Sequence, residues 1–324
     1  MTAEKQYGWG LIGPGRFAKQ FAGELREVDR ARLVAVASRS SEEKAAEFAA
    51  EFGFERSYGS YAALLADDDV DIVYVVVPHP FHREVSEMAL AAGKGVVCEK
   101  PLTPTADETR ALVAFARDSG QFLMEAMKTR FLPAIIAAKK WIDEGKIGDV
   151  VLSRADFCFR GPGDPNDRLM NPALAGGAVL DVGIYPIFLT RYLLGEVDSV
   201  QAVGTLASTG VESSASILTR HQNGATSAMT CSFCSDIAMS ATISGTEGTI
   251  FLPKFHAETR IELRKQGDVV EVFEDNAPSI VKGEIHAAMA ALDEELTECP
   301  GHTLDDTIRL AEIMDEVRRQ VGTL

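Results

Sequence analysis

The most constraining feature of this chain is a short apolar run, residues 7–12 (YGWGLI), that ends on Gly13-Pro14-Gly15-Arg16-Phe17-Ala18 and enters a helical pattern at once. Phe17, Ala18, Phe21, Ala22 and Leu25 then recur on one face at helical spacing. A G-x-G-x-x-A pattern is weak alone. Between a strand and an amphipathic helix it has the context that a dinucleotide-binding turn requires. Gly13 permits the tight turn, Gly15 lets the backbone approach a pyrophosphate, and Ala18 lets the helix pack closely on its sheet. The helix start offers free N–H donors and a positive partial charge. Gly13, Pro14, Gly15, Arg16 and Phe17 are therefore expected to bind the cofactor.

The same rhythm continues for about 125 residues. A second strand is expected over 32–37, and Ser40-x-x-Glu43 reads as a capping box opening a helix that runs to about Phe52. Residues 71–77 are almost continuously apolar and β-branched, as in a strand buried on both faces of a parallel sheet. A helix over 81–92 stopped by Gly93, a strand over 95–98, a helix capped by Thr105-x-x-Glu108, and a last strand over 121–124 complete the set. This alternation predicts an α/β Rossmann domain with a parallel, doubly wound sheet, placed at 1–127.

After Met127 the pattern changes. A helix over 133–144, a strand over 150–157, a Gly/Pro/Asn-rich loop over 160–177 and a helix over 179–194 precede a mostly strand-like run, 199–273. Turn signals fall at 222–224, 245–248 and 267–268, with no helix between the strands. Two helices, 283–298 and 304–321, end the chain. Residues 128–324 are expected to form an α+β domain with a large, mostly antiparallel open sheet.

Composition narrows the function. The net charge is −16 over 324 residues, which repels phosphate backbones and argues against nucleic acid as a partner. No apolar run approaches the roughly 20 residues of a membrane span. A strand beginning at Tyr7 leaves no room for a signal peptide, so a cytoplasmic, membrane-free protein is expected. Five dispersed cysteines fit reduced thiols. Cys231-x-x-Cys234 lies in a β-like run with no second pair, so no metal site is expected.

The end of the second strand separates the two nicotinamide cofactors. NAD sites usually carry an acid there for the ribose hydroxyls. This chain has Ala37-Ser38-Arg39-Ser40, with no carboxylate before Glu42. Arg39 is suited to charge-assisted bonds with a 2′-phosphate, and Ser38 and Ser40 can donate as well. NADP is the expected cofactor, with NAD as the alternative.

Three further segments complete a set: Val77-Pro78-His79-Pro80-Phe81-His82, Cys98-Glu99-Lys100-Pro101-Leu102, and Gly176-Gly177-Ala178-Val179-Leu180-Asp181-Val182-Gly183-Ile184-Tyr185-Pro186. With the glycine loop they resemble the glucose–fructose oxidoreductase/inositol dehydrogenase (Gfo/Idh/MocA) family over essentially the whole chain. His79-Pro80-x-His82, Glu125-Ala126-x-x-x-Arg130-Phe131-x-Pro133 and Tyr185 resemble the branch of dimeric dihydrodiol dehydrogenases and NADP-dependent D-xylose dehydrogenases. Met127-Lys128-Thr129 departs from that branch, which often has tryptophan and other aromatic residues there.

The resemblance implies that Lys100 and Tyr185 are catalytic, with Asp181 orienting the lysine or the substrate. The chemistry agrees. Oxidising an alcohol requires removing the hydroxyl proton, and a phenol near pKa 10 is a poor base unless a cation favours its phenolate. Asp181, at i−4 from Tyr185, shares its helix face. Pro186 should distort that helix unless it lies in the first turn. The resemblance also implies that Glu99 contacts the nicotinamide ribose and that Pro78 and His79 line the cofactor. His82 is a cofactor or substrate candidate, and Arg168 a substrate ligand together with Lys100, Asp181 and Tyr185. In relatives the bond matching Lys100–Pro101 is often cis.

The expected activity is NADP-dependent hydride transfer with a sugar, polyol or related small hydroxy or carbonyl substrate. Two other readings stay open: a non-catalytic dinucleotide sensor on the same fold, and an NAD-dependent inositol-type dehydrogenase. The apolar stretches 227–233 and 237–243, partly by family analogy, suggest a homodimer formed through the C-terminal sheet.

Overall fold

The computed structural model describes residues 5–161, 163–257, 260–275 and 279–324. Residues 1–4 of the polar N-terminus, position 162 of the glycine-rich loop and positions 258–259 of the β-rich run lie outside the described residues. The chain forms two compact units, Met1–Lys128 with Val281–Ile308, and Thr129–Ile280 with Arg309–Leu324. The sequence reading kept 281–308 with the second domain; its contacts lie with the first unit.

The first unit alternates β1 (Tyr7–Ile12), α1 (Arg16–Leu25), β2 (Ala31–Ala37), α2 (Glu42–Phe52), β3 (Arg56–Tyr58), α3 (Tyr61–Leu65), β4 (Ile72–Val75), α4 (His82–Ala91), β5 (Gly95–Glu99), α5 (Ala106–Ser119) and β6 (Leu123–Ala126). Among the described residues the strands make one parallel sheet, ordered β3-β2-β1-β4-β5-β6. Short, half-buried β3 and five-residue α3 were not expected from sequence. The face of α1 that carries Ala18, Phe21, Ala22 and Leu25 is buried, as its spacing predicts. Phe21 stacks on Tyr74 of β4 with ring centroids 3.5 Å apart and an interplanar angle of 3°. The cap of α2 is Ser41, whose hydroxyl accepts from the Lys44 N–H at 3.2 Å, not Ser40 as expected. The reason lies upstream. The Ser38 N–H still pairs with the Tyr58 carbonyl at 3.2 Å, so the extended run lasts longer and helix entry shifts by one residue.

The second unit begins with α6 (Pro133–Asp143), β7 (Val150–Cys158) and α7 (Ile184–Leu194). Then follow β8 (Val197–Leu206), β9 (Glu212–His221), β10 (Thr226–Ser232), β11 (Ala241–Gly245), β12 (Thr249–Leu252), β13 (Arg260–Lys265) and β14 (Asp268–Glu274). The strand order is β14-β13-β12-β11-β7-β10-β9-β8. Pairing is antiparallel except between β7 and β10. Ala155, Ile217, Met229 and Ile243 are buried on one face of this sheet, while Leu152, Val203 and Leu218 stand exposed on the other. The chain closes with α8 (Lys282–Asp293), within the first unit, and α9 (Leu304–Val321), whose residues from Arg309 onward belong to the second.

One stretch, Pro172–Leu194, has the length and mean hydropathy (1.6) of a membrane span, contrary to the sequence reading; 83% of its apolar window is buried inside the protein. It is a core element, and it is not one regular helix. Val179–Gly183 forms a π-helical turn in which the Ile184 N–H reaches back to the Val179 carbonyl. Pro186 then falls in the first turn of α7, where its missing N–H is tolerated.

A buried contact between Glu125 and His302 fastens the returning segment. Glu125, at 2% exposure, accepts the Leu102 N–H at 2.9 Å with one oxygen, and the other lies 3.0 Å from His302 Nε2, whose side chain is also 2% exposed. Removing one partner of such a pair leaves the rest buried and unmatched. Glu125→Ala should lower unfolding stability by about 2 kcal/mol, read as a lower urea midpoint; an unchanged midpoint would show that the pair does not hold the segment.

Candidate active site

In the first unit, the loop after β1 is shaped by Gly13. Its φ is +98°, and a Cβ there would lie 2.7 Å from the Val76 carbonyl oxygen. Its N–H donates to the Ala37 carbonyl at 3.1 Å, and the Gly15 N–H turns back to the Gly13 carbonyl at 2.7 Å. Gly15 is different. Its φ is −101°, and a Cβ would meet nothing in the chain nearer than 3.9 Å. The fold itself does not demand glycine at 15. No side chain caps α1, and no acid sits in its first turn. A small residue facing open space beside free helix N–H groups fits a pyrophosphate approaching from outside. Pro14 is half-buried, Arg16 exposed and Phe17 half-buried beside it.

At the end of β2, Ser38 is buried and its Oγ lies 3.2 Å from Ser40 Oγ. Arg39 is exposed, with its guanidinium 4.6 Å above the Phe81 ring. That stacking leaves the edge of the fork available to an anion. Because Ser41 caps α2, the Ser40 hydroxyl is not used for capping.

Three side chains pin the loop after β5, each through the main chain. Glu99 accepts the Tyr74 hydroxyl with one oxygen and the Lys100 N–H with the other at 3.2 Å. Burial holds the Glu99 carboxyl above its usual range, and the Lys100 ammonium opposes that rise. His82 places Nδ1 at 2.9 Å from the Pro101 carbonyl and Nε2 at 2.8 Å from the Val77 carbonyl. Glu125 takes the Leu102 N–H, as above. The Lys100–Pro101 bond is cis.

His82 therefore differs from its expected role as a ligand contact. It has no exposed surface, and both ring nitrogens face carbonyls. Burial lowers its pKa, and the carbonyl contacts at both ring nitrogens oppose that fall. It braces the Lys100 loop. Pro78 is exposed and His79 half-buried in the short 3₁₀ turn His79–Phe81 just before α4.

In the second unit, Asp181 lies in the π turn and Tyr185 opens α7. Asp181, 11% exposed at its side chain, accepts from Arg168 Nη1 at 3.0 Å; the arginine is 57% exposed. Tyr185 is 6% exposed, and its ring lies 5.2 Å from Phe157 and 6.3 Å from His256. Sequence reasoning missed what holds this turn. Glu212, 1% exposed, accepts the Val179 N–H at 3.2 Å. Gly177 (φ +126°) passes so close that a Cβ would lie 2.4 Å from the Glu212 carboxylate. The Gly176-Gly177 pair was a signal for such an approach, but its partner, one acid among many, was not legible.

Cys231 packs under the π turn, where a Cβ on Gly183 would lie 3.0 Å from its sulfur. Burial pushes its thiol far up, while Cys234 is exposed. Among the described residues no group of three or more His, Cys, Asp or Glu could hold a metal ion. A surface depression of about 510 Å³ lined by Arg130, Lys139, Lys140 and Tyr192 lies apart from Asp181 and Tyr185 in its lining.

Comparison with known proteins matches both units. Residues 7–127 fit the model of the oxidoreductase family with an NAD-binding Rossmann fold, and residues 135–251 fit the GFO/IDH/MocA C-terminal domain. The chain is 35% identical over 326 residues to trans-1,2-dihydrobenzene-1,2-diol dehydrogenase of Mus musculus, covering 97% of this chain and 96% of that one. Among solved structures it resembles an aldose–aldose oxidoreductase from Caulobacter crescentus complexed with glycerol (TM-score 0.89, 25% identity, 98% of each chain). It also resembles a 3-ketoreductase from Actinomadura kijaniata in complex with NADP and TDP-benzene (TM-score 0.85, 28% identity, 98% of each chain). The chain belongs to the Gfo/Idh/MocA family of oxidoreductases, with that family's NAD-binding Rossmann domain and C-terminal domain.

Proposed function

We propose that this chain is an NADP-preferring dehydrogenase or reductase acting on a sugar, polyol or related small hydroxy or carbonyl compound, with Lys100 and Tyr185 as its catalytic pair. The observation that carries this reading is the loop at the carboxyl end of β5. Three side chains, those of His82 and Glu125 buried and that of Glu99 half-buried, fix the main chain on either side of Lys100. Such investment suits a group that must be placed accurately.

When bound, the nicotinamide supplies the hydride acceptor or donor. The chain's own residues do the rest. Tyr185 takes the hydroxyl proton in oxidation and returns it in reduction. The Lys100 ammonium stabilises charge on the reacting oxygen and favours the phenolate of Tyr185. Asp181, held by Arg168, orients the substrate, and Arg168 itself is exposed enough to bind a hydroxyl or carbonyl oxygen. Gly13 to Phe17 hold the pyrophosphate, Pro78 and His79 line the cofactor, and Glu99 takes the nicotinamide ribose. Arg39, Ser38 and Ser40 take the 2′-phosphate. The diol dehydrogenases named above act, by name, on a dihydrobenzene diol; Met127-Lys128-Thr129 replaces a stretch where that branch often carries aromatic residues, which counts against an aromatic diol here.

The exposed apolar residues Leu152, Val203 and Leu218 share one face of the eight-stranded sheet and support a homodimer formed there, in the cytoplasm. Light scattering should give twice 35.0 kDa, and Leu218→Asp should shift the mass toward the monomer; a monomeric wild type rejects the dimer.

A panel of aldoses, polyols and α-dicarbonyls followed at 340 nm identifies the substrate class. Lys100→Met and Tyr185→Phe should each cut kcat by about 10²–10⁴-fold with the fold intact; unchanged turnover in either removes the pair from the mechanism. Arg39→Ala should weaken NADP binding by roughly 10–100-fold and leave NAD binding nearly unaltered. An unaltered NADP/NAD preference would show that Arg39 does not meet the phosphate.

A further inference from the structure

In the second unit, Arg168, Asp181 and Tyr185 hang from one junction of main chain. Gly176 presses on the segment that carries Arg168: a Cβ there would lie 2.6 Å from the Leu169 carbonyl oxygen and 2.8 Å from that of Arg168. The Gly177 N–H donates to the same Leu169 carbonyl at 2.9 Å. Just beyond begins the π turn Val179–Gly183, which carries Asp181 and runs directly into α7 and Tyr185. All three side chains therefore take their place from Gly176-Gly177.

The side chain that meets this junction from the sheet is Glu212, the first residue of β9. It is 1% exposed. Its Oε1 accepts the Val179 N–H at 3.2 Å, and a Cβ on Gly177 would lie 2.4 Å from that same oxygen. The N–H groups of a first helical turn have no acceptor within the helix and must find one outside it. A local Ser, Thr or Asp just before the turn would serve. Here that residue is Ala178, which offers no side-chain acceptor, and the task falls to a strand 33 residues further along the chain. The difference matters. A local cap fixes the shape of a turn, whereas a cap mounted on a sheet fixes its place. β9 lies between β8 and β10, so the carboxylate stands on an inner strand and not on a loop. A π turn is also rare and found mostly at functional sites.

We propose that Glu212 is a positioning residue for the reaction: by clamping the start of the π turn to β9, it sets the Tyr185 phenol, together with Asp181 and Arg168, in the place that proton transfer requires. This rests on the reading that Tyr185 is the acid–base group. Glu212 acts through the turn and not by contact with the substrate. Its loss is therefore felt in the chemical step and not in the binding of the dinucleotide, which the glycine loop of the first unit holds.

Steady-state kinetics of the full-length protein test this, with the most rapidly converted member of the aldose, polyol and α-dicarbonyl panel. They are run where each variant keeps the wild-type circular dichroism, and NADPH binding is followed by fluorescence. Glu212→Asp withdraws the carboxylate by one methylene and keeps its charge; it should lower kcat by roughly 10–100-fold and leave the NADPH dissociation constant unaltered. Glu212→Gln keeps an oxygen to accept the Val179 N–H and should retain most of kcat. In a Tyr185→Phe background, Glu212→Asp should cost little more, because the group it acts through is already gone. If Glu212→Asp leaves kcat unchanged, if Gln and Asp are equally damaging, or if the loss is as large without the Tyr185 hydroxyl, the proposal falls while the Lys100–Tyr185 reading stands. If Tyr185→Phe turns over normally, or no member of the panel is converted, that reading falls and takes the proposal with it.

Discussion

The Lys100 loop depends on a half-buried acid at the end of β5. Glu99 is the last residue of a central parallel strand, and each of its oxygens accepts one hydrogen bond, from the Tyr74 hydroxyl and from the Lys100 N–H, with acceptor capacity to spare. Tyr74 is itself immobilised by the stack on Phe21, so the core of the Rossmann unit reaches the loop through one hydrogen bond. His82 and Glu125 then hold Pro101 and Leu102. Three consecutive residues are each fixed by a different element: β5, α4 and β6. Distributed anchoring of this kind places a side chain more accurately than a loop held only at its ends.

The alternation of strand and helix was legible because buried parallel strands read as apolar runs and their helices carry one apolar face. What failed to show was what depends on contact between distant parts of the chain. The segment Val281–Ile308 reads as ordinary helix plus linker, yet the Asp293 carboxylate takes the Tyr7 hydroxyl at 2.9 Å, the Val281 N–H reaches Glu24 at 3.0 Å, and His302 pairs with Glu125. Nothing in local periodicity encodes those partners. The parallel pairing of β7 with β10 was hidden for the same reason, since strand direction is set by the connection and not by the strand. Ser40 and Ser41 show the limit at small scale: two adjacent capping residues differ only in where the preceding strand lets go.

The site was legible in its exposed and glycine-marked parts and opaque in its buried acids. Glycines advertise a geometric need, and both Gly13 and Gly177 proved to sit at positive φ against a close oxygen. Glu125, Glu212 and Glu284 are indistinguishable in sequence from the many acids that give the chain its −16 charge. Their burial gives them meaning. A carboxylate in water does little, while one removed from water must be matched by N–H groups, by a cation, or by a proton. Glu212 caps a π turn, Glu125 takes a main-chain N–H and lies against His302, and burial holds the Glu284 carboxyl well above the usual range.

That economy bears on how an acidic protein binds an anionic cofactor. A surface of net −16 repels phosphates at a distance, so binding cannot rely on long-range attraction. At the proposed site the groups that act at contact are the helix N–H donors beside Gly15 and the stacked guanidinium of Arg39. Such short-range contacts are poorly screened by salt once water is excluded.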